Sequence, residues 1–103
     1  MSWVRVADET EIFEGYGFAA TAGIRHIAIF KVQDSFYACE GICTHAHAFL
    51  AEGYVEGDEV ECPMHLGRFN FRTGKAVCAP ARVDLNTFPV EVRDGGVFVD
   101  IPA

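Results

Sequence analysis

The chain is poor in basic residues, and those it has are scattered. Eight Lys and Arg stand against fifteen Asp and Glu, a formal charge of −7. A nucleic-acid binder gathers cations to neutralise phosphates, so that class is excluded. Long apolar runs are missing too. Near the start the longest is Phe18-Ala19-Ala20, far short of the roughly 20 residues that span a bilayer. Residues 1–9 carry no signal-peptide pattern. The expectation is a soluble cytoplasmic protein with no membrane association. In that compartment its four cysteines are not expected to pair as disulfides. No stretch has the spacing of a long amphipathic helix, and there are no repeats, low-complexity tracts or linkers.

What is present suits one β domain. The length of 103 residues fits a single domain spanning 1–103. Half the residues are hydrophobic, enough to bury a core without disulfides. Short β-like runs recur between turn residues. Residues 3–7 alternate. Residues 24–32 form a stronger strand, with Ile27, Ile29 and Phe30 inward, and Gln33-Asp34 turns it into 35–39. Glu56-Gly57-Asp58 and Thr73-Gly74-Lys75 mark further turns, and Asp94-Gly95-Gly96 joins 87–93 to 97–101. The acidic segment 8–15 reads equally as a loop or one helical turn. The fold class is therefore all-β: an antiparallel sandwich body with a two-loop subdomain, about 41–71, inserted into it.

Two short motifs carry the chemistry: Cys43-Thr44-His45 and Cys62-Pro63-Met64-His65. Each offers one thiol and one imidazole. Either alone is a weak signal. Both together, in this order and in a β-rich chain, are a strong one. The set suits a [2Fe–2S] cluster with two cysteines on one iron and two histidines on the other. The charge arithmetic agrees. Two thiolates cancel the 2+ core, so the site is neutral when oxidised and −1 when reduced. Four cysteines would add two negative charges and make reduction harder. Gly41 and Gly67 permit tight backbone paths beside the loops, and Pro63 restricts the second. A structural zinc site is the main rival, but its usual Cys-x₂₋₄-Cys and His-x₃₋₅-His spacings do not match. A thiol enzyme built on Cys43 and His45 would leave the second motif unexplained.

The spacing resembles the Rieske proteins. The run from Cys62 to Asn70, followed by Thr73-Gly74-Lys75, is similar to the Rieske-type ferredoxins of bacterial aromatic-ring-hydroxylating dioxygenase systems. That resemblance covers most of the chain. It implies a Rieske fold and one [2Fe–2S] cluster, with Cys43 and Cys62 on the buried iron and His45 and His65 on the outer one. It also implies partners: an NADH-dependent flavoprotein ferredoxin reductase supplies the electron, and a terminal oxygenase with its own mononuclear iron receives it. A monomer is the simplest state for such a shuttle. The chain is too short for an oxygenase domain of its own, so it is not expected to be an enzyme. The alternative within the fold is the small subunit of an assimilatory nitrite reductase, some of which lack ligands. High-potential Rieske subunits add a disulfide between the cluster loops and hydroxyls near the sulfurs. The matching positions here are Ala48 and Met64, and Gly67 and Phe69. None of them supplies a thiol or a hydroxyl. Fewer hydrogen bonds to sulfur predict a potential near the low end of the Rieske range, about −150 mV.

Other residues divide between packing and docking. His47 lies two positions beyond His45 and reads as a surface neighbour of the cluster. His26 reads as structural, and Cys39 and Cys78 as buried thiols. Phe69, Phe71 and Phe88 are core candidates. Met64, Leu66, Phe49 and Pro80 are candidates for an apolar collar around the ligands, with ordinary loop packing equally open. Glu40, Glu52, Glu56, Asp58, Glu59 and Glu61 flank the ligand loops. They would steer a basic partner or simply solvate the surface.

Overall fold

Strand β3, Arg25–Val32, sets the architecture because it is apolar on both faces. Ile27 and Ile29 point one way, Ala28 and Phe30 the other, and all four are buried. Such a strand must be covered on two sides. A computed structural model describes residues 2–44, 48–64, 67–79, 81 and 83–102, and it provides both covers. β3 lies inside a sheet with β2 (Gly17–Ala22), β4 (Ser35–Glu40) and β9 (Thr87–Phe88), ordered β2-β3-β4-β9. A second sheet has the order β1-β11-β10, from Ser2–Asp8, Gly96–Ile101 and Val90–Arg93. The third, β5-β6-β7-β8, is built from Tyr54–Glu56, Glu59–Glu61, Arg68–Asn70 and Ala76–Cys78. Every pairing within these sheets is antiparallel.

Two cores follow. Ile27, Ile29 and Ala38 meet Ala7, Val97, Val99 and Phe88, which closes the sandwich body. Ala28, Phe30 and Cys39 meet Leu50, Val60, Phe69 and Phe71, which seats the inserted subdomain. Cys43 and Cys62 belong to this second core. Phe30 and Phe71 stack across it, with ring centroids 4.3 Å apart and planes within 12°. A one-residue slip of β3 would exchange the two cores' side chains, so burial on both faces fixes its register.

The turns explain the boundaries. Gln33 and Asp34 both take positive φ, 51° and 66°, the two-residue type I′ geometry that suits a twisted hairpin. The strand expected from residue 24 begins at Arg25, because Gly23 and Ile24 make the preceding turn and Ile24 is fully exposed. The run expected over 87–93 is two strands. Pro89 has no amide to donate, and the chain changes sheet there: β9 pairs with β4 and β10 with β11. The last turn is Asp94-Gly95, with φ 50° and 78°, while Gly96 already pairs with Arg93. Segment 8–15 holds one 3-10 turn, Glu9–Glu11. Strand β2 was not expected. Its Gly17-Phe18-Ala19-Ala20-Thr21-Ala22 sequence is too rich in small residues to read as a strand.

Removing the Phe71 ring from the stacked pair should be costly, because both rings are fully buried. Phe71→Ala is expected to lower unfolding free energy by about 3–5 kcal/mol. Urea titration followed by tryptophan fluorescence would read this; a loss under about 1 kcal/mol would deny Phe71 its central place.

Candidate metal centre

The first ligand loop closes through a narrow neck. At its base Gly41 N–H donates to the His26 carbonyl at 2.9 Å, and Leu50 N–H donates to the Gly41 carbonyl at 2.9 Å. Ile42 and Phe49 then form an isolated antiparallel bridge, and Cys43 N–H donates to the Ala48 carbonyl at 3.0 Å. A Cβ on Gly41 would come within 3.0 Å of the His26 and Ile27 backbone, so the neck depends on glycine there. His26, expected to be structural, is exposed. Its ring meets Phe49 edge-on, with centroids 5.3 Å apart.

The second loop is the tip of the β6–β7 hairpin. Glu61 pairs with Arg68, and Cys62 N–H donates to the Gly67 carbonyl at 2.7 Å. The two loops thus bring Cys43 and Cys62 together, both buried, with their sulfurs in hydrogen-bond contact. Burial, foremost, and the bond with Cys43 push the Cys62 thiol up to about 11, while the Met64 backbone N–H donating to its sulfur opposes that rise. A metal ion held by these two sulfurs would replace the thiol protons with a stronger charge partner, so its binding would release protons. His45, His47 and His65 lie outside the described residues. Among the described residues no three His, Cys, Asp or Glu side chains gather as a metal site; the two facing thiols are the half of the expected set that can be placed. Two buried sulfurs side by side, each on a tight loop, fit one iron of the cluster.

A third segment, unread in the sequence, braces the first loop. Thr44 Oγ1 donates to the Val83 carbonyl at 2.7 Å, and Asn86 N–H donates to Glu40 Oε1 at 2.9 Å. Glu40 N–H returns a bond to the Asn86 carbonyl at 3.0 Å. Ala76 N–H donates to Asp84 Oδ1 at 2.8 Å, holding the same segment to β8. The Thr44–Val83 and Glu40–Asn86 pairs lie 39 and 46 residues apart and leave no local pattern to read.

The flanking residues take several distinct places. Glu40 is committed to this brace. Asp58 lies 3.7 Å from Arg72, and Glu56, Glu59 and Glu61 face Arg68. Of the expected collar, Met64 and Phe49 are exposed, while Leu66 and Pro80 lie outside the described residues. Ile42 and Val83 are also exposed near the loops and were not anticipated. Ala48 is buried and Met64 exposed at the two positions where a disulfide would need cysteines. Phe69 is core, and so are Phe71 and Phe88.

Fold and site together define a small all-β protein in which two loops bring a pair of buried cysteines together. The model of the Rieske [2Fe-2S] domain matches residues 2–89. The ferredoxin component of the naphthalene 1,2-dioxygenase system of Pseudomonas putida is 37% identical over 101 residues, 98% of this chain and 97% of that protein. The ferredoxin of Sphingomonas yanoikuyae B1 superposes with a TM-score of 0.92 at 30% identity, covering 98% of this chain and 100% of that one. A chain from the complex of oxygenase and ferredoxin in carbazole 1,9a-dioxygenase gives a TM-score of 0.87 at 40% identity, covering 94% and 91%. The chain belongs to the Rieske [2Fe–2S] family. It carries one such cluster and is an electron-transfer component, not a catalyst.

No cysteine is in a disulfide, but the two outside the motifs differ. Cys39 is fully buried; burial, then the charge of Glu40, raise its pKa to about 12. Cys78, expected to be buried, is exposed on the edge strand β8. Iodoacetamide at neutral pH should therefore modify Cys78 in the cluster-loaded protein and reach Cys39 only after unfolding. Peptide mapping that found Cys39 alkylated in native protein would contradict its placement.

Proposed function

We propose that this chain carries single electrons from an NADH-dependent flavoprotein reductase to the terminal oxygenase of an aromatic-ring-hydroxylating dioxygenase system. Cys43 and Cys62 hold one iron of its cluster, and His45 and His65 the other. The carrying observation is the meeting of Cys43 and Cys62 at one buried point, from loops whose next ligand-type residues are His45 and His65. The bound cluster supplies one-electron chemistry. The residues supply the rest: buried thiols face inward, and Ile42, Phe49, Met64 and Val83 give exposed apolar surface beside the loops. Electron carriers meet their partners through small transient contacts, often under about 1,200 Å², so a few apolar side chains suffice. The similar carbazole dioxygenase ferredoxin was solved with its oxygenase, which supports the same acceptor class here. A monomer in the cytoplasm suits the role of shuttle. The net charge of −7 favours basic partner surfaces, so transfer should slow as salt rises.

Single alanine variants test the ligand set. His45→Ala and His65→Ala should each abolish the visible and EPR spectrum of the reduced centre, and His47→Ala should keep it. Loss with His47→Ala and retention with His45→Ala would move the ligand assignment. The absence of hydroxyls at Gly67 and Phe69 carries a second test. Redox titration should find a potential near about −150 mV, and a value above about +100 mV would refute that argument.

A further inference from the structure

The second ligand loop stands on a charged root. Beneath its tip, the outward face of β5, β6 and β7 gathers three carboxylates around one guanidinium. Arg68 Nη1 lies 2.9 Å from Glu56 Oε1 and 3.4 Å from Glu59 Oε1, and Arg68 Nε lies 3.9 Å from Glu61 Oε1. The opposite face of the same strands is Val60 and Phe69, both fully buried. Glu61 directly precedes Cys62, and Arg68 directly follows Gly67, whose carbonyl closes the loop. The Arg68 and Glu61 side chains are only about a quarter exposed, so water screens this pair less than a free surface pair.

This arrangement is costly unless the cation stays. Three carboxylates sharing one site repel one another. They also oppose any further negative charge nearby, and reduction adds one to the cluster. Arg68 answers both effects. Its planar fork can face several oxygens at once, which an ammonium does poorly.

We propose that Arg68 is a positioning residue that seats the second ligand loop and holds the cluster's reduction potential up by offsetting the Glu56, Glu59 and Glu61 charges. This rests on the reading that Cys62 and His65 are ligands.

Redox titration of cluster-loaded protein tests it. At a fixed applied potential and low salt, Arg68→Gln should lower the reduced-to-oxidised ratio about threefold or more. The difference should shrink in high salt. Arg68→Lys should recover the ratio but release iron to a chelator faster than wild type, since charge returns without the fork. The triple variant Glu56→Gln, Glu59→Gln, Glu61→Gln with Arg68 intact should raise the ratio. The same three changes should restore it in the Arg68→Gln background, a coupling that a purely structural role would not produce. A lower melting temperature with an unmoved ratio in Arg68→Gln overturns the inference and leaves the ligand reading intact. Should Arg68→Gln fail to assemble a cluster, the triple variant decides: a raised ratio supports the inference and an unchanged one overturns it. A reduced-centre spectrum that survives His65→Ala overturns the ligand reading itself.

Discussion

Two thiols that start on separate loops must reach one dry point, and the rest of the structure answers to that requirement. Cys43 and Cys62 meet inside a core that contains Phe30, Leu50, Val60, Phe69 and Phe71. Left alone, a pair of buried thiols has little to recommend it. Burial pushes Cys62 up to about 11, so at neutral pH it keeps its proton. A metal centre held by Cys43 and Cys62 would replace both thiol protons and link the two loops.

The layering follows from the same need. β3 is apolar on both faces, so it can anchor the sandwich body on one side and the ligand subdomain on the other. Its sheet then sits behind the loops that carry Cys43 and Cys62. The loops are short and closed by backbone hydrogen bonds at both necks, which leaves little freedom for the sulfurs. Rigid placement matters for a carrier, because little rearrangement then accompanies each electron. Charge is handled close by. The carboxylates around the loops are not a loose cloud: Glu40 is hydrogen-bonded into the brace from Asn86, and Glu56, Glu59 and Glu61 converge on Arg68.

Much of this was legible in the residues. The mixed Cys-x-His and Cys-x-x-His spacing pointed to a [2Fe–2S] cluster, the cofactor of the family the chain belongs to. The hairpins at Gln33-Asp34 and Glu56-Gly57-Asp58 were readable because turn geometry demands particular residues. Strand β2 escaped because its small residues gain β structure only from pairing with β3. The split of 87–93 needed more weight on Pro89. Cys78 was misjudged as buried because nothing local marks β8 as an edge. The brace through Thr44, Glu40, Val83 and Asn86 was invisible for a deeper reason. It is made of a few hydrogen bonds between residues 39 and 46 positions apart, and no periodicity encodes such pairs.

The most direct test of the central claim is nitrogen hyperfine spectroscopy on the dithionite-reduced protein, with iron and zinc analysis of the same sample. The account predicts two irons per chain and couplings from two distinct imidazole nitrogens on the reduced iron. Signals without imidazole coupling, or a colourless protein holding one zinc after anaerobic reconstitution, would contradict it.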